Sequence, residues 1–132
     1  MVDSEPYRTS ETVAETARKV LADYDREAFV ILLLDTKNRL IGINIVSVGT
    51  LTTSLVHPRE VFKPAIAASA SAVIGVHNHP SGDPQPSRED SDLTRRLWEA
   101  GKLLGIRFLD HVIIGDLGCH FSFCDAGEFP PA

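Results

Sequence analysis

Apolar residues recur at two different periods along the chain, and the changes of period mark out its elements. Val13, Ala17, Val20, Leu21 and Tyr24 share one side of a helical wheel, and Ser10 ahead of them is a good N-cap, so a helix is predicted over 10–24. Ala28 to Leu34 is continuously apolar and partly β-branched, as a strand buried on both faces would be. Asp35-Thr36-Lys37-Asn38 is turn chemistry, and Leu40 to Val48 completes a hairpin. Leu51 to Val56 is a candidate short strand. His57-Pro58 opens a second helix, with Val61, Phe62, Ala65, Ile66 and Ala68 on its inner face. Ala72 to Val76 reads as a buried strand leading into His77, and the prolines of 80–86 make that stretch a loop. A third helix starts at Ser87 and presents Leu93, Leu97, Ala100 and Leu104 to the core. Arg107 to Ile114 and Cys119 to Phe123 form two closing strands around a turn at 115–118.

This order predicts a single α/β domain over 10–124, a mixed β-sheet packed with helices in two or three layers. Residues 1–9 read as a polar, disordered lead-in, and 125–132 are expected to be a frayed tail. At 132 residues the chain has room for one ordinary core and no second. No apolar run approaches the roughly 20 residues that cross a bilayer. The apolar stretch Phe29 to Leu34 lies too far in and is too short for a signal peptide, so a cytoplasmic setting and no membrane partner are expected. The net charge is −5, and the 13 basic residues are scattered, with no cluster beyond Arg95-Arg96. Direct DNA binding, which draws its affinity from neutralised phosphates, is thereby disfavoured. Cys119 and Cys124 miss the C-x2-C zinc spacing and are expected to be reduced, partly buried thiols.

Chemistry concentrates in His77-Asn78-His79-Pro80 and the segment after it. Two histidines two apart at a strand end point to one face. Their Cα atoms stand about 6.5 Å apart, within reach of one zinc at about 2.0–2.1 Å. The proline loop turns the chain back, and Asp90, in the first turn of the next helix, can add an oxygen ligand. Two imidazoles and one carboxylate leave a tetrahedral zinc one open position, the mark of a catalytic rather than a structural site. Ser87 and Asp90 also read as a capping box, which needs only helix-starting chemistry.

The motif H-x-H-x7-S-x2-D, here His77, His79, Ser87 and Asp90, matches the metal motif of the JAMM (MPN-plus) metalloprotease superfamily. At average residue usage it arises by chance in roughly one chain of this length in several thousand. More closely, HPREVFKPAI (57–66), HNHPSGDPQPS (77–87), LTRRL (93–97) and LDHVIIG (109–115) resemble the JAB domain of the RadC family, over about 10–124. The resemblance implies a JAB1/MPN-type fold, similar in outline to cytidine deaminases. It also implies zinc-dependent hydrolysis of peptide or isopeptide bonds in an as yet unidentified protein substrate. A glutamate opening the first strand acts as general base in the superfamily, and Glu27 matches that place. Ser87 would then donate to the developing oxyanion. RadC proteins are often labelled DNA-repair proteins and carry an N-terminal helical region similar to DNA-binding helix-hairpin-helix modules. That region is not in these residues, which lowers the expectation of a DNA role.

Other residues compete for these parts. Glu60 rivals Glu27 as base but sits in a helix first turn, where a carboxylate simply favours the dipole. Glu89 and Asp92 read the same way. Asp83 rivals Asp90 as ligand, although its flanking prolines suggest a turn. Asp110 and His111 are adjacent on a strand, so one is expected in the core and one on the surface. His57 and His120 have no evident partners. A nucleobase deaminase would need a C-x-x-C pair that the cysteines do not provide. The alternative function is a non-catalytic, zinc-containing interaction module associated with DNA metabolism.

Overall fold

The computed structural model describes residues 9–49 and 56–129. In chain order the elements are α1 (Ser10–Leu21), β1 (Ala28–Leu34), β2 (Leu40–Val48), α2 (Pro58–Ala67), β3 (Ala72–Asn78), α3 (Arg88–Leu104), β4 (Arg107–Ile114) and β5 (His120–Ser122). The five strands form one mixed sheet in the order β2-β1-β3-β4-β5. β1 runs antiparallel to both β2 and β3, β3 and β4 are parallel with α3 as their crossover, and β5 returns antiparallel.

The uninterrupted apolar run of β1 follows from its place. It is flanked by strands on both edges and covered on both faces, and every one of its residues is buried. Its even positions Val30, Leu32 and Leu34 pack with Val13, Ala14, Ala17 and Leu21 of α1. Its odd positions Phe29, Ile31 and Leu33 pack with Val61, Phe62 and Ala65 of α2 and Leu93 and Leu97 of α3. The sheet is therefore the middle of three layers. Among the described residues no helix is long and apolar enough to cross a membrane.

Several expectations need correction. Thr9, not Ser10, caps α1, and Ser10 instead turns its hydroxyl to His120 and Asp125. α1 stops at Leu21, while Tyr24 packs on its core as part of the following turn. Ile66 and Leu104 are exposed. On α3 the inner stripe runs instead through Gly101, where a Cβ would meet the Ile106 carbonyl oxygen at 2.4 Å. Side-chain volume is excluded there because helix and following strand touch backbone to backbone. Cys119 and Cys124 are exposed rather than partly buried. Residues 125–129 continue as hydrogen-bonded turns rather than fraying, and Phe129 packs on Phe108. The candidate strand at 51–56 and the lead-in up to residue 8 fall almost wholly outside the described residues.

Candidate metal centre

β3 ends in His77-Asn78-His79, and its pairings decide where each side chain goes. Phe29 lies opposite His77 in the antiparallel register with β1. Opposed residues share a face, so His77 points to the α3 side. Glu27 and His79 each lie one residue beyond the ends of these two paired strands, β1 and β3. In the parallel register with β4, Gly75 pairs with His111, which alternation turns to the same side. A Cβ at Gly75 would stand 2.8 Å from the Phe29 ring, so glycine there makes room for that ring beside the histidines.

The start of α3 closes the site from above. Ser87 Oγ accepts the Asp90 N–H at 3.1 Å, and Asp90 Oδ2 accepts the Ser87 N–H at 2.7 Å. This capping box fixes the buried Asp90 carboxylate over the strand end. Its Oδ1 lies 3.3 Å from His77 Nε2 and its Oδ2 3.2 Å from His79 Nε2. The cap and ligand readings of Ser87-x-x-Asp90 are thus compatible, because a carboxylate has lone pairs enough for both. One ligand atom from each of His77, His79 and Asp90 lies within 4.8 Å of the others, so the group could hold a metal ion.

The outer nitrogens of the two rings are already engaged. His79 Nδ1 lies 2.9 Å from the Asp83 carbonyl oxygen, to which it must donate. That leaves its Nε2 with a lone pair in the neutral ring. His77 Nδ1 is 2.7 Å from His111 Nε2, while His77 Nε2 is buried without a hydrogen-bond partner. A buried, unpartnered nitrogen beside a carboxylate costs free energy unless a cation joins them. Two imidazoles and one carboxylate are a donor set that suits zinc.

The electrostatics of the metal-free site point the same way. Burial pushes the Asp90 carboxyl up, but His77, His79 and the Ser87 N–H outweigh it and hold the group well below the usual carboxylate range. The hydrogen bond that protonated His79 donates to Asp90 raises it above the ordinary imidazole value against the effect of burial, and the Asp83 carbonyl and the charges of Asp90 and Glu27 add to the rise. Burial, with the charge of His77 adding to it, drives His111 far below that value.

Glu27 therefore stands within electrostatic reach of His79, whereas Glu60 pairs on α2 with Arg59 at 3.3 Å and Lys63 at 3.9 Å. Asn78 bonds the backbone on either side of Glu27, accepting from Ala28 N at 2.8 Å and donating to the Arg26 carbonyl at 2.9 Å. Ser87 is exposed at the rim, and Glu89 and Asp92 are exposed on α3. Asp83 takes a turn role: its Oδ1 accepts from Gln85 N, and its carbonyl orients His79. Beside His79 lies a cleft of about 240 Å³, walled by Asn78, Pro80, Gly82, Arg18 and Asp116. At Gly82, with φ +92°, a Cβ would collide with the Asp116 carboxylate, so the loop lies tight against the β4–β5 turn.

His111 and Thr94 join the site in a way the sequence reading misses. Asp110 and His111 do alternate across the sheet, but both are buried. Asp110 accepts from Ser122 and from the Cys124 N–H, and burial raises its pKa against those bonds. His111 joins His77 on one side and Thr94 on the other. Thr94, a polar residue four after Asp90 in the apolar stripe of Leu93 and Leu97, carries a signal that helical period alone could reveal. His120 also has a partner, the Ser10 hydroxyl at 3.0 Å, while His57 is the exposed N-cap of α2 with no side-chain capping bond.

Comparison with known proteins places this architecture. The profile of the RadC-like JAB domain matches residues 7–128. A UPF0758 protein of Syntrophotalea carbinolica is 54% identical over 121 residues, 92% of this chain and 53% of that protein. One from Trichlorobacter lovleyi is 61% identical over 107 residues, 81% of this chain and 46% of the relative. Another, from Geobacter sulfurreducens, is 54% identical over 127 residues, 96% of this chain and 55% of its own length. The chain spans about half the length of these relatives. It belongs to the family of RadC-like JAB domains.

Proposed function

We propose that this domain is a zinc-dependent metallohydrolase acting on peptide or isopeptide bonds, with His77, His79 and Asp90 as the metal ligands. The observation that carries the reading is the convergence of His77 Nε2 and His79 Nε2 on the buried Asp90 carboxylate, at 3.3 and 3.2 Å. When bound, zinc supplies Lewis acidity, polarising a carbonyl and bringing the pKa of a water toward about 7. Glu27, just ahead of β1 and within electrostatic reach of His79, takes the water proton and returns it to the leaving amine. Ser87 spends only its oxygen lone pair on the Asp90 N–H, so its own proton is free to meet a developing oxyanion. The peptide and isopeptide substrate class rests on membership of the JAB family.

A net charge of −5 without a basic cluster argues against duplex DNA as a direct partner, and two free cysteines fit a reducing, cytoplasmic setting. Elemental analysis of the wild type against His79→Ala tests the ligands, and the wild type alone is expected to hold about one equivalent of zinc. Glu27→Gln, assayed on peptides and isopeptide-linked proteins, is expected to keep the zinc and lose turnover. Equal zinc in wild type and His79→Ala removes these ligands, and a Glu27→Gln chain as active as wild type removes the base.

A further inference from the structure

We propose that Thr94 and His111 are positioning residues for the metal centre: the Thr94 hydroxyl dictates, through His111, which ring nitrogen of His77 carries the proton. The inference rests on the metal-site reading above and assigns part of what makes that site competent. Thr94 Oγ1 lies 2.8 Å from the Asp90 carbonyl oxygen, a group that can only accept. The single hydroxyl proton is therefore committed there. The same oxygen lies 2.7 Å from His111 Nδ1, and having given its proton away it can only accept from that ring. His111 is fully buried, with Phe123 stacked on it at 5.2 Å and Phe29 edge-on at 5.5 Å. No carboxylate bonds its ring, so it carries one proton, and that proton is on Nδ1.

His111 Nε2 is then a lone pair, and His77 Nδ1, 2.7 Å away, must donate to it. The result is a His77 ring whose Nε2 lone pair faces Asp90 Oδ1. Every bond in the relay has a single allowed direction, because it starts at a carbonyl that has no proton to give. It also starts and ends on Asp90, first on its backbone and last on its carboxylate. Hydrogen bonds to the far nitrogen of a ligating histidine fix ring orientation and tautomer, and their loss typically weakens metal binding 10–100-fold.

Thr94→Val removes the hydroxyl at nearly constant volume, and Thr94→Ser keeps it. In the Val variant His111 Nδ1 loses its acceptor, so the proton moves to Nε2 and turns the relay round. Zinc affinity is measured by competition with a chromophoric chelator. The tautomer of His77 is read in metal-free protein by long-range ¹⁵N–¹H NMR, above the ordinary histidine titration range. Thr94→Val is expected to bind zinc about 10–100-fold more weakly and to carry the His77 proton on Nε2. Thr94→Ser should match the wild type in both. A Val variant that binds zinc within about twofold of wild type, or keeps the Nδ1 proton, overturns the proposal. So does a wild-type His77 protonated on Nε2, a result available even if the Val variant does not fold. A wild type that binds no zinc, with the tautomer as stated, instead removes the metal-site reading beneath it.

Discussion

Asn78 clamps the backbone on both sides of Glu27, its Oδ1 on the Ala28 N–H at 2.8 Å and its Nδ2 on the Arg26 carbonyl at 2.9 Å. One tripeptide thus supplies both imidazoles and the brace for the proposed base. A displacement of about 1 Å in a reacting group can cost on the order of 100-fold in rate. Asn78→Ala is therefore expected to keep its zinc and to lose about 10–100-fold in kcat on any substrate the wild type cleaves. Amide exchange at Ala28 should speed up in the same variant, since its N–H loses its acceptor. Wild-type kcat alongside faster exchange would show that the brace does not govern the base.

The fold is legible wherever a pattern is local. The unbroken apolar run 28–34 identifies a central strand, and Ser87-x-x-Asp90 identifies a helix start. What escapes depends on partners distant in sequence. Nothing in Asp110-His111 says that β4 lies parallel to β3, yet that register puts His111 against His77. Ile66 and Leu104 fit the helical period but fall at the margin of the α2–α3 contact, so they stay exposed. The histidine pair and Asp90 are legible because their spacing alone brings them together. Thr94 is legible only as a polar break in an apolar helical stripe, and Asn78 acts through hydrogen bonds that no spacing rule encodes.

The metal-free protein is expected to lose stability as pH rises above the ordinary imidazole value of about 6.5, and zinc should restore most of it at the upper end. His79 has a raised pKa, with the Asp90 hydrogen bond the largest cause. A raised group contributes stability fully below its unfolded value of about 6.5 and loses it as pH climbs through the folded value. His111, held low by burial, works in the opposite sense, but its contribution is complete once pH passes about 6.5. Asp90 is depressed, so its contribution is present above its unfolded value of about 3.9 and is lost as pH falls below it. Above neutrality His79 therefore sets the slope. Zinc needs the same lone pair that the proton occupies, so its stabilisation should grow over this interval. Calorimetry with zinc or with chelator, on wild type and His79→Gln, checks this. A zinc-induced rise in Tm that is larger near the ordinary imidazole value of about 6.5 than at higher pH would contradict it.

Ser87 holds two jobs that substitution can separate by magnitude. As N-cap of α3 its hydroxyl oxygen accepts the Asp90 N–H at 3.1 Å. Replacing a capping serine by alanine costs about 1 kcal/mol, and by glycine only a few tenths. As donor to an oxyanion it is worth about 10²–10³ in kcat. The reciprocal bond from the Ser87 N–H to Asp90 Oδ2 draws only on the backbone of Ser87, so it survives both changes and should keep the carboxylate aimed at the histidines. Ser87→Ala and Ser87→Gly are therefore both expected to retain zinc and to lose about 10²–10³ in kcat, while only the alanine variant loses about 1 kcal/mol in urea unfolding. Ser87→Thr, which keeps a hydroxyl, should turn over within about tenfold of wild type, since it preserves both the capping acceptor and the donor. If Ser87 were a cap and nothing more, the glycine variant would cleave substrate as fast as the wild type does.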